Sequence, residues 1–140
     1  MQFDQILEKL VHDAELLELL LPRLSDSVKG SLCEAVAIEL YHTFERTRSM
    51  EYLDRAIVTS EQAMAYTPDD RPDVAGRLLN NLALALQLRF EQTGSMEDLN
   101  GATRASEKAL ASMADDDVDR ATVLNNAGIV QRAGLSGLDR

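Results

Sequence analysis

Apolar residues return every three or four positions near the start of the chain. Phe3, Ile6, Leu7, Leu10, Val11, Ala14, Leu17 and Leu21 form one stripe, which predicts a helix over 3–21. Leu16, Leu19 and Leu20 widen the stripe beyond what a single neighbour needs. Pro22 stops this helix, and Ser25-Asp26-Ser27 supplies capping residues for a second over 28–46, with Leu32, Val36, Leu40 and Tyr41 inward. A third helix over 50–66 starts behind Ser49, with Glu51 and Asp54 in its first turns, where acidic side chains complement the helix dipole. Pro68-Asp69-Asp70-Arg71-Pro72-Asp73 reads as a break and a new helix start, giving a fourth helix over 73–92. Gly94-Ser95 ends that helix and caps a fifth over 96–113. Ala114-Asp115-Asp116-Asp117 breaks the chain again before a sixth over 118–133, with Gly134, Ser136 and Gly137 expected as a frayed tail. No alternating run of β-branched residues competes, so the expected fold class is all-α with about six helices.

The pattern also repeats. Shifted by 46 positions, residues 32–65 fall on 78–111 with about 15 of 34 positions identical. Phe44-Glu45-Arg46-Thr47-Arg48-Ser49-Met50-Glu51 becomes Phe90-Glu91-Gln92-Thr93-Gly94-Ser95-Met96-Glu97. A third partial copy starts at Leu124-Asn125-Asn126-Ala127-Gly128, which answers Leu79-Asn80-Asn81-Leu82-Ala83 after a one-residue slip. The expected organisation is an N-terminal capping or oligomerisation helix over 1–27, followed by about two and a half repeats over 28–140. A repeat of this kind cannot bury its apolar face alone, so function is expected on a stacked surface and not in a catalytic pocket.

Composition changes this picture by exclusion. The net charge of −10 opposes phosphate backbones and anionic membrane, so neither nucleic acid nor a membrane is expected as partner. The apolar cluster Leu16-Leu17-Glu18-Leu19-Leu20-Leu21 is short, interrupted by Glu18 and preceded by acidic residues, which fits neither a signal peptide nor a span. A single cysteine makes no internal disulfide and no metal-ligand spacing, which fits a reducing, cytoplasmic setting.

Paired helices at a fixed period, with Ala37, Ala83 and Gly128 at the small position of the first helix, resemble the tetratricopeptide repeat. Ala56 with Ala63, and Ala102 with Ala109, match the alanines of its second helix, and Pro68 matches its terminal proline. The physical reason for small residues there is close helix approach. The period departs from the usual 34 residues, Cys33 and Leu79 replace the usual aromatic, and Ala114 stands where a second terminal proline would. The wording Leu-Asn-Asn-Leu-Ala…Phe-Glu-Gln-Thr-Gly-Ser-Met-Glu…Ser-Glu-Lys-Ala-Leu is similar to long repeat arrays of fungal proteins that accompany NACHT, NB-ARC or CHAT domains in immune-receptor-like systems. No P-loop Gly-x-x-x-x-Gly-Lys-Ser/Thr occurs in this chain.

The resemblance implies a right-handed solenoid of antiparallel-paired helices, with partner contacts on the concave face of the first helix in each pair. Carried over, those positions are Ser31, Glu34, Ala35, Ile38, Tyr41 and His42; then Arg77, Asn80, Asn81, Leu84, Gln87 and Leu88; then Thr122, Asn125, Asn126, Ile129 and Arg132. Asparagine pairs suit an extended peptide backbone because each amide offers donor and acceptor. Alternatively Asn80 and Asn125 bond each other, or nearby helix ends, as a structural ladder. Only Arg77 and Arg132 are basic there, too few for clamping a terminal carboxylate. His42 lies nine residues from Cys33, about 13 Å along one helix, out of reach for activating a thiol, so Cys33 is expected in the core. The acidic loops lack calcium-loop spacing and suit helix capping. No catalytic, cofactor or metal residues are expected. The expected function is a non-catalytic protein-interaction module binding a peptide or helix of a partner. The competing expectation is self-assembly through Leu16, Leu19 and Leu20 and the unfinished third repeat, whose Ala127, Ile129 and Val130 would lack a covering helix.

Overall fold

A computed structural model describes residues 2–138, with side chains described as far as residue 134. Among the described residues it is all-helical, with helices α1 (Phe3–His12), α2 (Ala14–Leu20), α3 (Asp26–Thr47), α4 (Met50–Ala65), α5 (Pro72–Thr93), α6 (Met96–Ser112) and α7 (Arg120–Leu138), and one 3-10 turn at Leu21–Arg23. The chain divides into two compact units at the Thr67/Pro68 boundary.

The unit before Thr67 corrects the expected first helix, which is two helices and not one. Asp13 adopts an extended backbone (φ −140°, ψ 93°), ending α1 and capping α2, whose Leu16 N–H donates to Asp13 Oδ1 at 3.2 Å. A carboxylate satisfies an orphan N–H at a helix start, which stabilises the break. Arg55 of α4 holds the end of α1, donating to the carbonyls of Leu10 (3.0 Å) and Val11. His12 meets the Tyr52 ring edge-on, with Nδ1 and the phenol oxygen 3.2 Å apart. Leu10, Val36, Leu40, Phe44 and Leu53 are fully buried among α1, α3 and α4.

The identical residues of the two copies build the same hinge twice. At the end of α3, Arg48 turns left-handed (φ 59°) and its N–H donates to the Phe44 carbonyl at 2.7 Å. Thr47 Oγ1 donates to the Thr43 carbonyl and accepts from the Ser49 N–H. At the end of α5, Gly94 takes the left-handed residue (φ 76°), with Thr93, Ser95, Phe90 and Arg89 filling the matching roles. Phe44 and Phe90 are buried beneath the two hinges. The Phe-Glu-x-Thr-x-Ser-Met-Glu wording is therefore a helix stop and restart, the left-handed residue closing the orphan carbonyls.

The unit after Pro68 pairs α5 with α6 and lays α7 across both. Arg89 grips Asp98 with two hydrogen bonds, Nε to Oδ2 at 2.9 Å and Nη2 to Oδ1 at 2.8 Å, clasping the end of α5 to the start of α6. Arg120, at the start of α7, donates to the carbonyls of Leu110 (2.9 Å) and Met113 (3.4 Å), satisfying the end of α6. Ala127 and Val130 are buried here, so the expectation that they lack cover is corrected: α7 rests on α5 and α6. The expected frayed tail is also corrected, because α7 continues through Leu138.

Glycines 46 residues apart set both helix pairs. A Cβ added at Gly30 would stand 3.5 Å from Tyr66 Cβ, an ordinary contact, whereas one at Gly76 would stand 2.9 Å from Met113 Cγ. Alanine gains about 1 kcal/mol over glycine inside a helix, and overpacking costs about 1–3 kcal/mol. Gly30→Ala is therefore expected to raise stability by up to about 1 kcal/mol and Gly76→Ala to lower it by a similar amount. Urea midpoints of the two variants measure this; equal and positive shifts would show that Met113 yields freely.

Candidate functional site

The expected partner-binding positions of the second and third copies come together on one face of the second unit. On α5, Leu78, Leu82 and Ala85 are buried, and Arg77, Asn80, Asn81, Leu84 and Leu88 lie on the adjacent, more open side. On α7, Val123, Ala127 and Val130 are buried, and Thr122, Asn126 and Ile129 follow on the adjacent side. The two stripes meet: Asn126 Nδ2 donates to Asn80 Oδ1 at 3.2 Å. The expected amide ladder thus exists, but it runs to Asn126 and not to Asn125. In the one-residue-slipped register Asn126 answers Asn81, so the bond is diagonal. It uses one end of each amide and leaves the Asn80 amino group and the Asn126 carbonyl on the same face.

Around this bond the chemistry is mixed. Asn81 is half-buried and Asn125 exposed, while Leu84, Leu88 and Ile129 are half-buried apolar neighbours. Arg77 is exposed one turn before Asn80. Two positions differ from the expectation. Gln87 is buried, at 8 % exposure, and its amide donates to Glu91 Oε1, so it serves the helix and not the surface. Arg132 is exposed on the far side of α7, over Gly128, instead of beside Asn126.

In the first unit, Glu34, Ile38 and Tyr41 share one stripe of α3, at positions i, i+4 and i+7. Glu34 and Tyr41 are half-buried and Ile38 is exposed; Tyr41 meets the His42 ring edge-on, and His42 Nδ1 lies 3.0 Å from Glu45 Oε1. Ser31 is exposed and Ala35 half-buried. Of the expected association residues, Leu19 is 70 % exposed, while Leu16 and Leu20 are half-buried. A shallow cleft of about 220 Å³ opens between α2 and α4, lined among others by Leu17, Glu18, Arg55 and Val58.

Cys33 is fully buried on α3, and burial pushes its thiol above the ordinary range, opposite to what a nucleophile needs. Among the described residues no group of histidine, cysteine and carboxylate side chains is arranged to hold a metal, and no helix is long and apolar enough to cross a membrane. Arg71 bonds Asp73 through Nε (3.3 Å) and Nη2 (3.4 Å); the guanidinium draws the Asp73 carboxyl below its usual range at the first turn of α5. This acidic loop works as a helix start.

The residues that sequence reasoning missed are the arginines. Arg55, Arg89 and Arg120 each bridge two elements, and neither Arg89 nor Arg120 has a basic counterpart 46 residues away that would have drawn attention to it.

No protein-family model matches the chain, and searches of curated proteins and of solved structures also find no match.

Proposed function

We propose that the chain is a non-catalytic interaction module built from tetratricopeptide-like repeats, and that the α5–α7 face receives an extended peptide of a protein partner. The observation that carries this reading is the Asn126–Asn80 hydrogen bond, which gathers Asn80, Asn81 and Asn126 and the apolar side chains of Leu84 and Ile129 on one surface. An extended backbone presents alternating N–H and C=O groups, and amides with one end still open pair with both. Leu84 and Ile129 would take apolar side chains of the peptide between those bonds. The repeat reading of the fold rests on the 46-residue period, the duplicated hinge and the paired glycines. A place in an immune-receptor-like signalling system follows only from the likeness of wording to fungal repeat arrays.

The test is selection of peptides from a random display library against the intact chain, followed by titration of the best binder. Asn81→Ala is expected to weaken it several-fold, and Leu84→Glu about tenfold or more. Failure to select any binder, or selected peptides indifferent to both changes, overturns the reading.

A further inference from the structure

Three helices carry one stripe at one angle from their buried side. On α3 it is Gly30, Cys33, Ala37, Leu40 and Phe44; on α5 it is Gly76, Leu79, Ala83, Leu86 and Phe90. Both stripes lie against the helix that follows. Gly30 stands on Tyr66 just past the end of α4, Gly76 on Met113 just past the end of α6, and Leu86 on Gly101 inside α6. On α7 the buried residues Val123, Ala127 and Val130 repeat Leu78, Leu82 and Ala85 at a shift of 45 residues. The same shift places Ala121, Leu124, Gly128 and Gln131 on the stripe. There the cover ends: Leu124 is 50 % exposed where Leu79 is 7 % exposed, and Ala121 and Gln131 are exposed. Among the described residues, a Cβ added at Gly128 would meet only the Arg132 guanidinium within 4 Å.

We infer that this stripe of α7 is a docking surface for a partner helix of the α6 kind: antiparallel to α7, with small residues at three- and four-residue spacing and an acidic first turn. The surface continues an interface already built, since α6 touches both α5 and α7, and the next place in that row lies on the open stripe. The occupant's chemistry is set by what covers the two equivalent stripes. The buried small residues that the two helices share are Ala56, Ser60 and Ala63 on α4, and Ala102, Ser106 and Ala109 on α6. Each of those helices opens on acid, Glu51 in α4 and Glu97 with Asp98 in α6. An antiparallel helix sets its first turn at the C-terminal part of α7, where Arg132 is exposed, so the charges are complementary. Gln131 stands where Leu40 and Leu86 stand on the other two helices, which makes the stripe tolerant of water when vacant. Docking is therefore reversible.

The probe is a fluorescein-labelled peptide of this chain's own residues 95–113, titrated against the intact protein by fluorescence anisotropy. Saturable binding is expected. Leu124→Glu and Gly128→Leu should each weaken it about tenfold or more, and Arg132→Glu several-fold, with the last effect shrinking as salt rises. Leu124 and Arg132 are exposed, so their variants should keep the wild-type melting temperature. A peptide with Ala102→Leu and Ala109→Leu should not bind, because bulky residues hold the helices apart. Absence of saturation overturns the inference. So does binding indifferent to Leu124→Glu, which would mean exchange for the native α6. Self-association of the chain that Leu124→Glu abolishes overturns it as well, since the stripe would then serve a second copy. Asn81→Ala should leave this binding unchanged, which separates the α7 stripe from the peptide face.

Discussion

Phe44→Ala is expected to lower unfolding stability by about 3–5 kcal/mol, and the melting temperature by on the order of 10 °C. The phenyl ring is fully buried at the α3–α4 hinge, with the Arg48 guanidinium 5.7 Å from its centre. Its carbonyl also receives the left-handed turn of Arg48. Truncation removes the transfer energy of the ring and leaves a cavity, because the backbone on both sides is fixed by the Thr47 and Ser49 bonds and collapses poorly. Phe44→Leu, which keeps most of the volume, should cost no more than about 1.5 kcal/mol. Phe90→Ala, at the second hinge, should resemble Phe44→Ala in size, since Phe90 is only 3 % exposed. Denaturant unfolding of the three variants decides the matter. A loss below about 1 kcal/mol for Phe44→Ala would mean that the ring does not fill the hinge.

This hinge is also where the sequence was easiest to read. Phe44 to Glu51 and Phe90 to Glu97 repeat almost letter for letter because each letter has a local task within a few residues of itself: a buried ring, a threonine bonding its own turn, and a left-handed stop. Helix boundaries set by Pro68, Pro72 and Gly94 were legible for the same reason. The break at Asp13 was not. An aspartate inside an amphipathic pattern looks like a solvated helix residue until the chain turns there and its carboxylate finds the Leu16 N–H. The arginine clasps were hidden for a second reason. Arg55 meets carbonyls 44 and 45 residues away, a separation for which no periodic template exists. On the peptide face the stripe positions could be counted from the repeat. Burial of Gln87 and the choice of Asn126 over Asn125 depend on how α7 registers against α5, which a one-residue slip in the repeat leaves open.

Asp98→Ala should be the costliest single change on the polar side, at about 2–3 kcal/mol. Breaking a fully buried ion pair costs about 3–5 kcal/mol, and the Arg89 side chain, at 27 % relative exposure, keeps enough water to reduce that figure. Asp98 itself is 8 % exposed, and both of its oxygens are engaged by Arg89. The loss comes from the two charge-assisted hydrogen bonds that Asp98 accepts from Arg89 Nε and Nη2. The first repeat shows that the fold does not require the pair, because Thr43 and Tyr52 occupy the two positions 46 residues earlier. Thr43 bonds the Glu39 carbonyl of its own helix and Tyr52 reaches His12. Transplanting that solution, Arg89→Thr with Asp98→Tyr, should therefore recover about half or more of what Asp98→Ala loses, with a coupling energy of about 1–2 kcal/mol across the cycle. Urea unfolding of Asp98→Ala, Arg89→Thr, Asp98→Tyr and the double variant measures it. If the double variant is as unstable as the sum of its single changes, the two positions are uncoupled, the clasp contributes no interaction energy of its own, and the expectation fails.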